Sequence, residues 1–245
     1  MSLNVTTSIK GGFRRVATRN GLLLIAAYAV VGLIWQVSFN SLFVQGVAQF
    51  APEAADASPG VLSVDLPLGV LAVLTFVLFL VLQYMALVAT RILVGGYERT
   101  IPNDLLTRNI PLAIVNLFVG GIVYSALVVI GSILVIPGII AYLAFVFMTV
   151  YIAVEDENFV AALGDSWSLT RGNWLRLFLL FVVIGVIGGV LGVLFSIGSM
   201  LSPAASTILS ALVFLPFSVL SLGIIAEAFV QLRDERSAAA TTEAI

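Results

Sequence analysis

The sequence contains no cysteine and no histidine. The first absence excludes disulfide scaffolds and thiol chemistry, and the second removes the usual zinc and haem ligands. Charge is scarce as well. Only 10% of the 245 residues are charged, where a soluble domain carries about a quarter. With 61% hydrophobic residues and a mean hydropathy of +1.17, the surface this chain exposes must face a bilayer rather than water. Lysine is nearly absent: Lys10 stands beside ten arginines, against 13 acids, for a net charge of −2. An acidic balance with little lysine suits a salt-loving organism, and a GC-rich genome would give the same arginine bias. No phosphate-binding glycine loop, nucleophile elbow or paired-histidine motif occurs. The sequence therefore offers no catalytic set, no cofactor site and no metal site. Nucleic-acid binding is excluded by the few basic residues, all of which fall beside apolar runs.

What is abundant is long apolar sequence. A spanning helix needs roughly 20 mostly apolar residues, and six segments qualify: about 21–43, 66–90, 111–135, 139–154, 175–200 and 204–230. The fourth is the shortest. Orientation is set by Lys and Arg. Lys10, Arg14, Arg15 and Arg19 precede the first span; Arg91, Arg99 and Arg108 separate the second from the third; Arg171 and Arg176 separate the fourth from the fifth; Arg233 and Arg236 come after the sixth. All eleven fall on one side, which predicts cytoplasmic N- and C-termini. The opposite side receives a loop charged only by Glu53, Asp56 and Asp65, and tight turns at Ile136–Gly138 and Met200–Pro203. The basic lead is about 20 residues long and the apolar run after it outlasts a signal core, so the first segment reads as a span rather than a cleaved leader.

Three of the spans are entered through one short phrase: "ATRNGL" at Ala17, "LTRNIP" at Leu106 and "LTRGNW" at Leu169. A segment of mixed character precedes each. In the first, Ile9, Phe13 and Val16 share a helical face while Lys10, Arg14 and Arg15 point away. In the second, Ile101 and Leu105 form the apolar side and Pro102 suits a first turn. In the third, Phe159, Leu163, Trp167 and Trp174 line a face with Asp165 and Ser166 off it. These read as helices lying in the cytoplasmic interface. The expected unit is an interfacial helix, a Thr-Arg-Asn/Gly corner, an outgoing span, a turn and a returning span. Asn20, Asn109 and Gly172 tolerate the left-handed backbone such a corner needs. Arg19, Arg108 and Arg171 read as interface anchors that snorkel to lipid phosphates, or as one converging headgroup site. Thr90-Arg91 repeats the dipeptide at the end of a span rather than before one.

The fold expected is thus all-α and integral to the membrane, with six spans in three hairpins over residues 1–232 and a short tail over 233–245. No Asp, Glu, Lys or Arg falls mid-span. Glu227, about a turn inside the sixth span, is placed either to pair with Arg91 at the end of the second or to lie exposed at the interface. The uncharged polar residues inside spans read first as hydrogen-bonding between helices, and Tyr84, Asn116 and Tyr124 are, alternatively, the candidate lining of a cavity. Small residues four apart, Gly121 with Ser125, Gly185 with Gly189 and Gly188 with Gly192, predict faces where helices pack closely. A homodimer through those faces is the rival reading. Pro216 should kink or loosen the sixth span. The acids of "VEDEN" (Val154 to Asn158) lack the spacing of a calcium loop and read as partners of a helix N-terminus.

The run "PGIIAYLAFVFMTVYIAVEDENFVAALGDSWSLTRGNWLRLFLLFVVIGVIGG" joins Pro-Gly to a span, an acidic turn, "AALGDSWSLTRGNW" and a further span. Over Pro137 to Gly189 it resembles the six-span membrane domain that accompanies some glycerophosphoryl diester phosphodiesterases. It is also similar to stand-alone membrane proteins of unknown function, haloarchaeal ones included. That resemblance implies a fold and a membrane location. The phosphodiesterase activity does not carry over, because the chain has neither the hydrolase barrel nor a histidine. The function expected is non-enzymatic: a scaffold or accessory subunit organising lipid or a partner protein, the alternative being a carrier of lipids or small amphiphiles through a cavity between hairpins.

The topology has a direct test, made simple by the absence of native cysteine. Cysteine placed at Ser58 should react with an impermeant maleimide from outside the cell, and cysteine at Ser237 only from inside. Labelling of both from one side would refute the topology.

Overall fold

The computed structural model describes residues 3–50, 62–199 and 202–243. Among these there is no strand. Ten helices run in order: α1 (Val5–Val16), α2 (Arg19–Phe50), α3 (Leu68–Gly95), α4 (Asn103–Thr107), α5 (Ile110–Ser132), α6 (Ile136–Ala144), α7 (Met148–Val154), α8 (Phe159–Thr170), α9 (Trp174–Ser199) and α10 (Pro203–Glu243). Six stretches are long and apolar enough to cross a membrane: α2, α3, α5, α6 together with α7, α9 and α10. The protein is therefore an all-helical, multi-pass membrane protein by length and composition. The short helices α1, α4 and α8 precede α2, α5 and α9, as the repeated phrase predicts. Glu53, Asp56 and Ser58 of the long loop, and Met200 of the last turn, lie outside the described residues. α10 runs on to Glu243, so the stretch read as a tail is helical through that residue.

Large apolar side chains are exposed along the spans, Val73, Val129 and Leu175 by 65%, 68% and 72%. Side chains of this kind stay outside only where the solvent is itself apolar. The described contacts fall into two units. The first comprises Met1–Leu22, Ala86–Gly185 and Leu220–Ile245, and the second Leu23–Met85 and Val186–Val219. All eleven Lys and Arg belong to the first unit and none to the second.

The second unit is tied by short hydroxyl bonds. Ser38 and Thr75 share a 2.7 Å hydrogen bond between α2 and α3, and Gln36 Nε2 donates to Ser210 Oγ at 2.9 Å between α2 and α10. Ser41 Oγ accepts from the Val64 backbone at 2.8 Å. Gly32 leaves room for the Leu215 side chain, which would crowd a Cβ there at 2.6 Å. α10 continues through Pro216 without interruption.

In the first unit the fourth span is not one helix. It breaks between Ala144 and Met148, and this span is half buried, a larger share than any of the other five. A broken backbone at membrane depth is tolerated where protein satisfies its polar groups. α8 does so here. Ser166 Oγ donates to the Ala144 carbonyl at 2.8 Å and accepts from the Phe147 N–H at 3.1 Å, and Thr170 Oγ1 adds a 3.3 Å bond to the same carbonyl. The buried face of α8 is accordingly Ala162, Ser166, Leu169 and Thr170. This corrects the face expected from hydrophobicity: Trp167 is 39% exposed, and Ser166 is fully buried. The polar demand of the broken span outweighs the aromatic stripe.

α1 departs from expectation in the same way. It buries Ser8, Gly11, Gly12 and Val16, while Phe13 is 64% exposed. A Cβ on Gly12 would lie 2.5 Å from the Ile224 Cα of α10, and one on Gly223 would lie 2.9 Å from the Gly12 carbonyl oxygen. Two glycines therefore let α1 and α10 touch backbone to backbone. A second such approach, Gly131 against Gly138 at 2.8 Å, closes the turn between α5 and α6. At that turn Val135 holds φ 58°, ψ −64°, and the Ile136 N–H donates to the Leu134 carbonyl at 2.6 Å. This is a γ-turn, a strained conformation for a β-branched residue.

Replacing Ser166 with Ala should leave the buried Phe147 N–H without an acceptor. The expected cost is about 1–3 kcal/mol of stability, read as a lowered Tm in detergent with faster deuterium exchange at Phe147. An unchanged exchange rate there would show that the break is held together by something other than α8.

Candidate functional site

The polar centre of the first unit is built on Arg91, in the last turns of α3. Its side chain is 1% exposed. Nε donates to the Ala153 carbonyl at 2.6 Å, Nη1 to the Leu105 carbonyl at 3.0 Å, and Nη2 to Asp156 Oδ1 at 3.0 Å. Two of these acceptors are carbonyls near the C-terminal ends of α7 and α4, the groups a helix leaves unpaired. The guanidinium fork thus closes two helix ends and one carboxylate together. Asp156 reaches it from a left-handed backbone, φ 56°, which an aspartate tolerates better than most residues.

Asp156 serves a second arginine. Its Oδ2 lies 2.7 Å from Arg108 Nε, and Arg108 Nη2 donates to the Val154 carbonyl at 2.9 Å. Asp104 adds a looser contact to Arg108 at 3.6 Å. The result is a chain of alternating charge, Arg91, Asp156, Arg108, Asp104, in which one carboxylate neutralises two cations.

The expected pairing of Arg91 with Glu227 is not what the structure gives. Glu227 pairs with Arg15, Oε2 to Nε at 2.7 Å. Arg15 Nη1 also donates to the Leu93 and Val94 carbonyls at 2.6 and 3.2 Å, which caps the end of α3. The physical reason is local. Gly11 brings α1 against the Glu227 side chain, so α1 supplies the cation, while Arg91 is drawn to the carbonyls of α4 and α7. Gln231 and Asn4 extend the same seam.

The three corner arginines do not behave alike. Arg108 is committed to Asp156, whereas Arg19 and Arg171 are exposed and make no side-chain hydrogen bond or ion pair among the described residues. Their backbones differ too. Asn109 and Gly172 take positive φ, 50° and 89°. Asn20 does not: it sits inside α2, 1% exposed, and bonds through its backbone N–H and its Nδ2 to the Glu98 and Tyr97 carbonyls. The threonines diverge as well. Thr18 Oγ1 accepts from the Gly21 N–H as a helix cap, Thr107 bonds back to Asn103, and Thr170 reaches Ala144.

The candidate cavity residues fall in different places. Tyr84 belongs to the second unit, and Asn116 and Tyr124 to the first. Asn116 Oδ1 accepts from the Phe159 N–H at 3.1 Å, and Tyr124 OH donates to the Tyr142 carbonyl at 3.2 Å, so both are spent on tying helices together. The small-residue faces also need correction. A Cβ at Gly121, Gly185, Gly189 or Gly192 meets no described atom within 4 Å, and Ser125 is exposed. Only Gly188 abuts a neighbour, the Phe217 ring at 3.1 Å. Spacing alone did not separate these open faces from the close approaches at Gly12 and Gly131.

Sequence reasoning missed Asp156 and Arg15. The one available signal for Asp156 was its place in "VEDEN", directly after a span that returns to the basic side. Beside it, Glu157 faces Asp165, and Glu157 Oε2 is buried with no donor among the described residues. Burial first, then the charge of Asp165 and a hydrogen bond shared with it, and then the charge of Glu155 push the Glu157 carboxyl up to about 7. Two ionised carboxylates offer each other no donor; one proton between them supplies it. No group of three or more metal-ligating side chains is present among the described residues.

Residues 3–232 match the family described as a domain of unknown function, DUF7847, and the chain belongs to that family. No curated protein and no solved structure matches it.

The Glu157–Asp165 pair predicts a pH dependence. Between pH 4.5, the ordinary value, and about 7 the folded chain holds a proton that the unfolded chain releases, so stability falls as pH rises through that window. Glu157→Gln should flatten the decline and raise Tm relative to the parent at about pH 8. An equal slope in both proteins, measured by thermal unfolding in detergent, would assign the decline to other groups.

Proposed function

We propose that this chain is a non-enzymatic, membrane-embedded scaffold or accessory protein that organises lipid or a partner protein, with both termini on the cytoplasmic side. The observation that carries the reading is where the ionisable side chains go. Arg91, Arg108, Asp156, Arg15 and Glu227 are spent on one another and on helix-end carbonyls, so they brace helices rather than present a reactive group. Asn116 and Tyr124, which a carrier would need along its path, are also engaged between helices. Exposed Arg19 and Arg171 support contact with anionic headgroups, and the open glycine face of α9 supports contact with a partner helix or a second copy. The arginine-rich, lysine-poor composition supports a salt-loving source.

One observation favours the carrier reading. An open apolar groove of about 350 Å³ runs along α5, α6 and α9, lined by Val128, Ile139, Tyr142, Phe178, Phe181 and Val182. Its apolar lining suits an acyl chain.

Native mass spectrometry of protein extracted gently from its own membrane separates the two. A co-purifying protein, with or without phospholipid of the surrounding membrane, is the expected result. A single amphiphile of another class, with no protein partner, would overturn the scaffold in favour of the carrier.

A further inference from the structure

The end of α3 carries a second polar cavity, outside the Arg91 centre. Its volume is about 160 Å³, room for roughly five water molecules at about 30 Å³ each, and so for a phosphate group with a short substituent. Arg14, Arg15 and Thr18, from the end of α1 and the corner after it, and Leu93, Tyr97 and Glu98, from the end of α3 and the turn after it, line its walls. The walls are held in place. Gly96, at φ 67°, turns the chain out of α3, and the buried Asn20 pins the next two residues through the Tyr97 and Glu98 carbonyls. Thr18 Oγ1 is occupied by the Arg15 carbonyl and the Gly21 N–H, and Arg15 by Glu227 and the end of α3.

That accounting leaves two side chains of opposite charge without partners. Neither the Arg14 guanidinium nor the Glu98 carboxylate makes a hydrogen bond or ion pair among the described residues, and the two do not pair with each other. Both are exposed at the rim. The cavity also lies where α3 ends as a spanning helix, at Gly95, which is headgroup depth for a chain that crosses the bilayer.

We infer that this cavity binds a phospholipid headgroup whose phosphate pairs with Arg14 and whose substituent donates hydrogen bonds to Glu98. The carboxylate is what sets the class. Ethanolamine and glycerol headgroups carry N–H or O–H donors, whereas choline's trimethylammonium carries none. An isolated arginine would take any phosphodiester; an arginine facing an unpaired carboxylate selects one with a donor. The inference rests on the reading that the protein organises lipid.

The test is native mass spectrometry of the full chain in detergent, titrated with phosphatidylethanolamine, phosphatidylglycerol and phosphatidylcholine of identical acyl chains. The first two should bind about tenfold more tightly than the third. Arg14→Ala should weaken them by about tenfold, and Glu98→Ala, which removes the acceptor, should erase the preference over choline while retaining binding. Both positions are exposed, so an unchanged Tm serves as the control for folding. Equal binding of all three lipids, or indifference to Arg14→Ala, would overturn the site while leaving a lipid-organising protein. Binding of no lipid would overturn the site and the lipid reading together. Displacement of lipid by free glycerophosphoethanolamine at equal concentration would place the ligand in solution and overturn the membrane source.

Discussion

A guanidinium buried to 1% exposure persists only if its donors are met, because an unpaired charge in such a place is far costlier than any contact it makes. Arg91 is that group. The carbonyls near the ends of α4 and α7 and the Asp156 carboxylate satisfy it, and it satisfies them in return. Neither side of the exchange is stable alone. The placement of α4, of the left-handed Asp156 corner and of Arg108 beyond it results from the need to keep this one charge paired.

The same logic appears twice more in the first unit with different chemistry. Arg15 closes the end of α3 and takes up Glu227. Ser166 and Thr170 close the gap in the fourth span. In each case a side chain from a short helix completes the backbone of a spanning one. That explains why α1 and α8 turn polar or small faces inward and leave Phe13 and Trp167 exposed. In an apolar solvent, burying an aromatic ring gains little, whereas leaving a backbone group unpaired costs a great deal.

On the proposed reading, a protein whose charges are consumed in bracing would present lipid and partners with a stable frame, with Arg14, Glu98, Arg19 and Arg171 among the described groups left for contacts beyond itself. The second unit has no basic residue, and hydroxyl bonds such as Ser38 to Thr75 and Gln36 to Ser210 tie its helices.

The sequence by itself determined the solvent, the number of spans and the hairpin order, because hydrophobic length and the positions of Arg are properties of a single segment, readable without knowing its neighbours. It also determined that Asn109 and Gly172 sit at corners, since a left-handed turn is local. Only the tertiary structure decided the pairing. Arg15 rather than Arg91 meets Glu227 because Gly11 and Gly12 admit α1 to the face of α10, and the four-residue spacing that singled out Gly185, Gly189 and Gly192, which meet no described atom, is not what marks that adjacent pair. Asp156 and Ser166 acquire their roles from carbonyls and N–H groups that are orphaned elsewhere in the chain. A hydrogen-bond demand of that kind arises only when distant segments pack, and it leaves no mark on the residues that answer it.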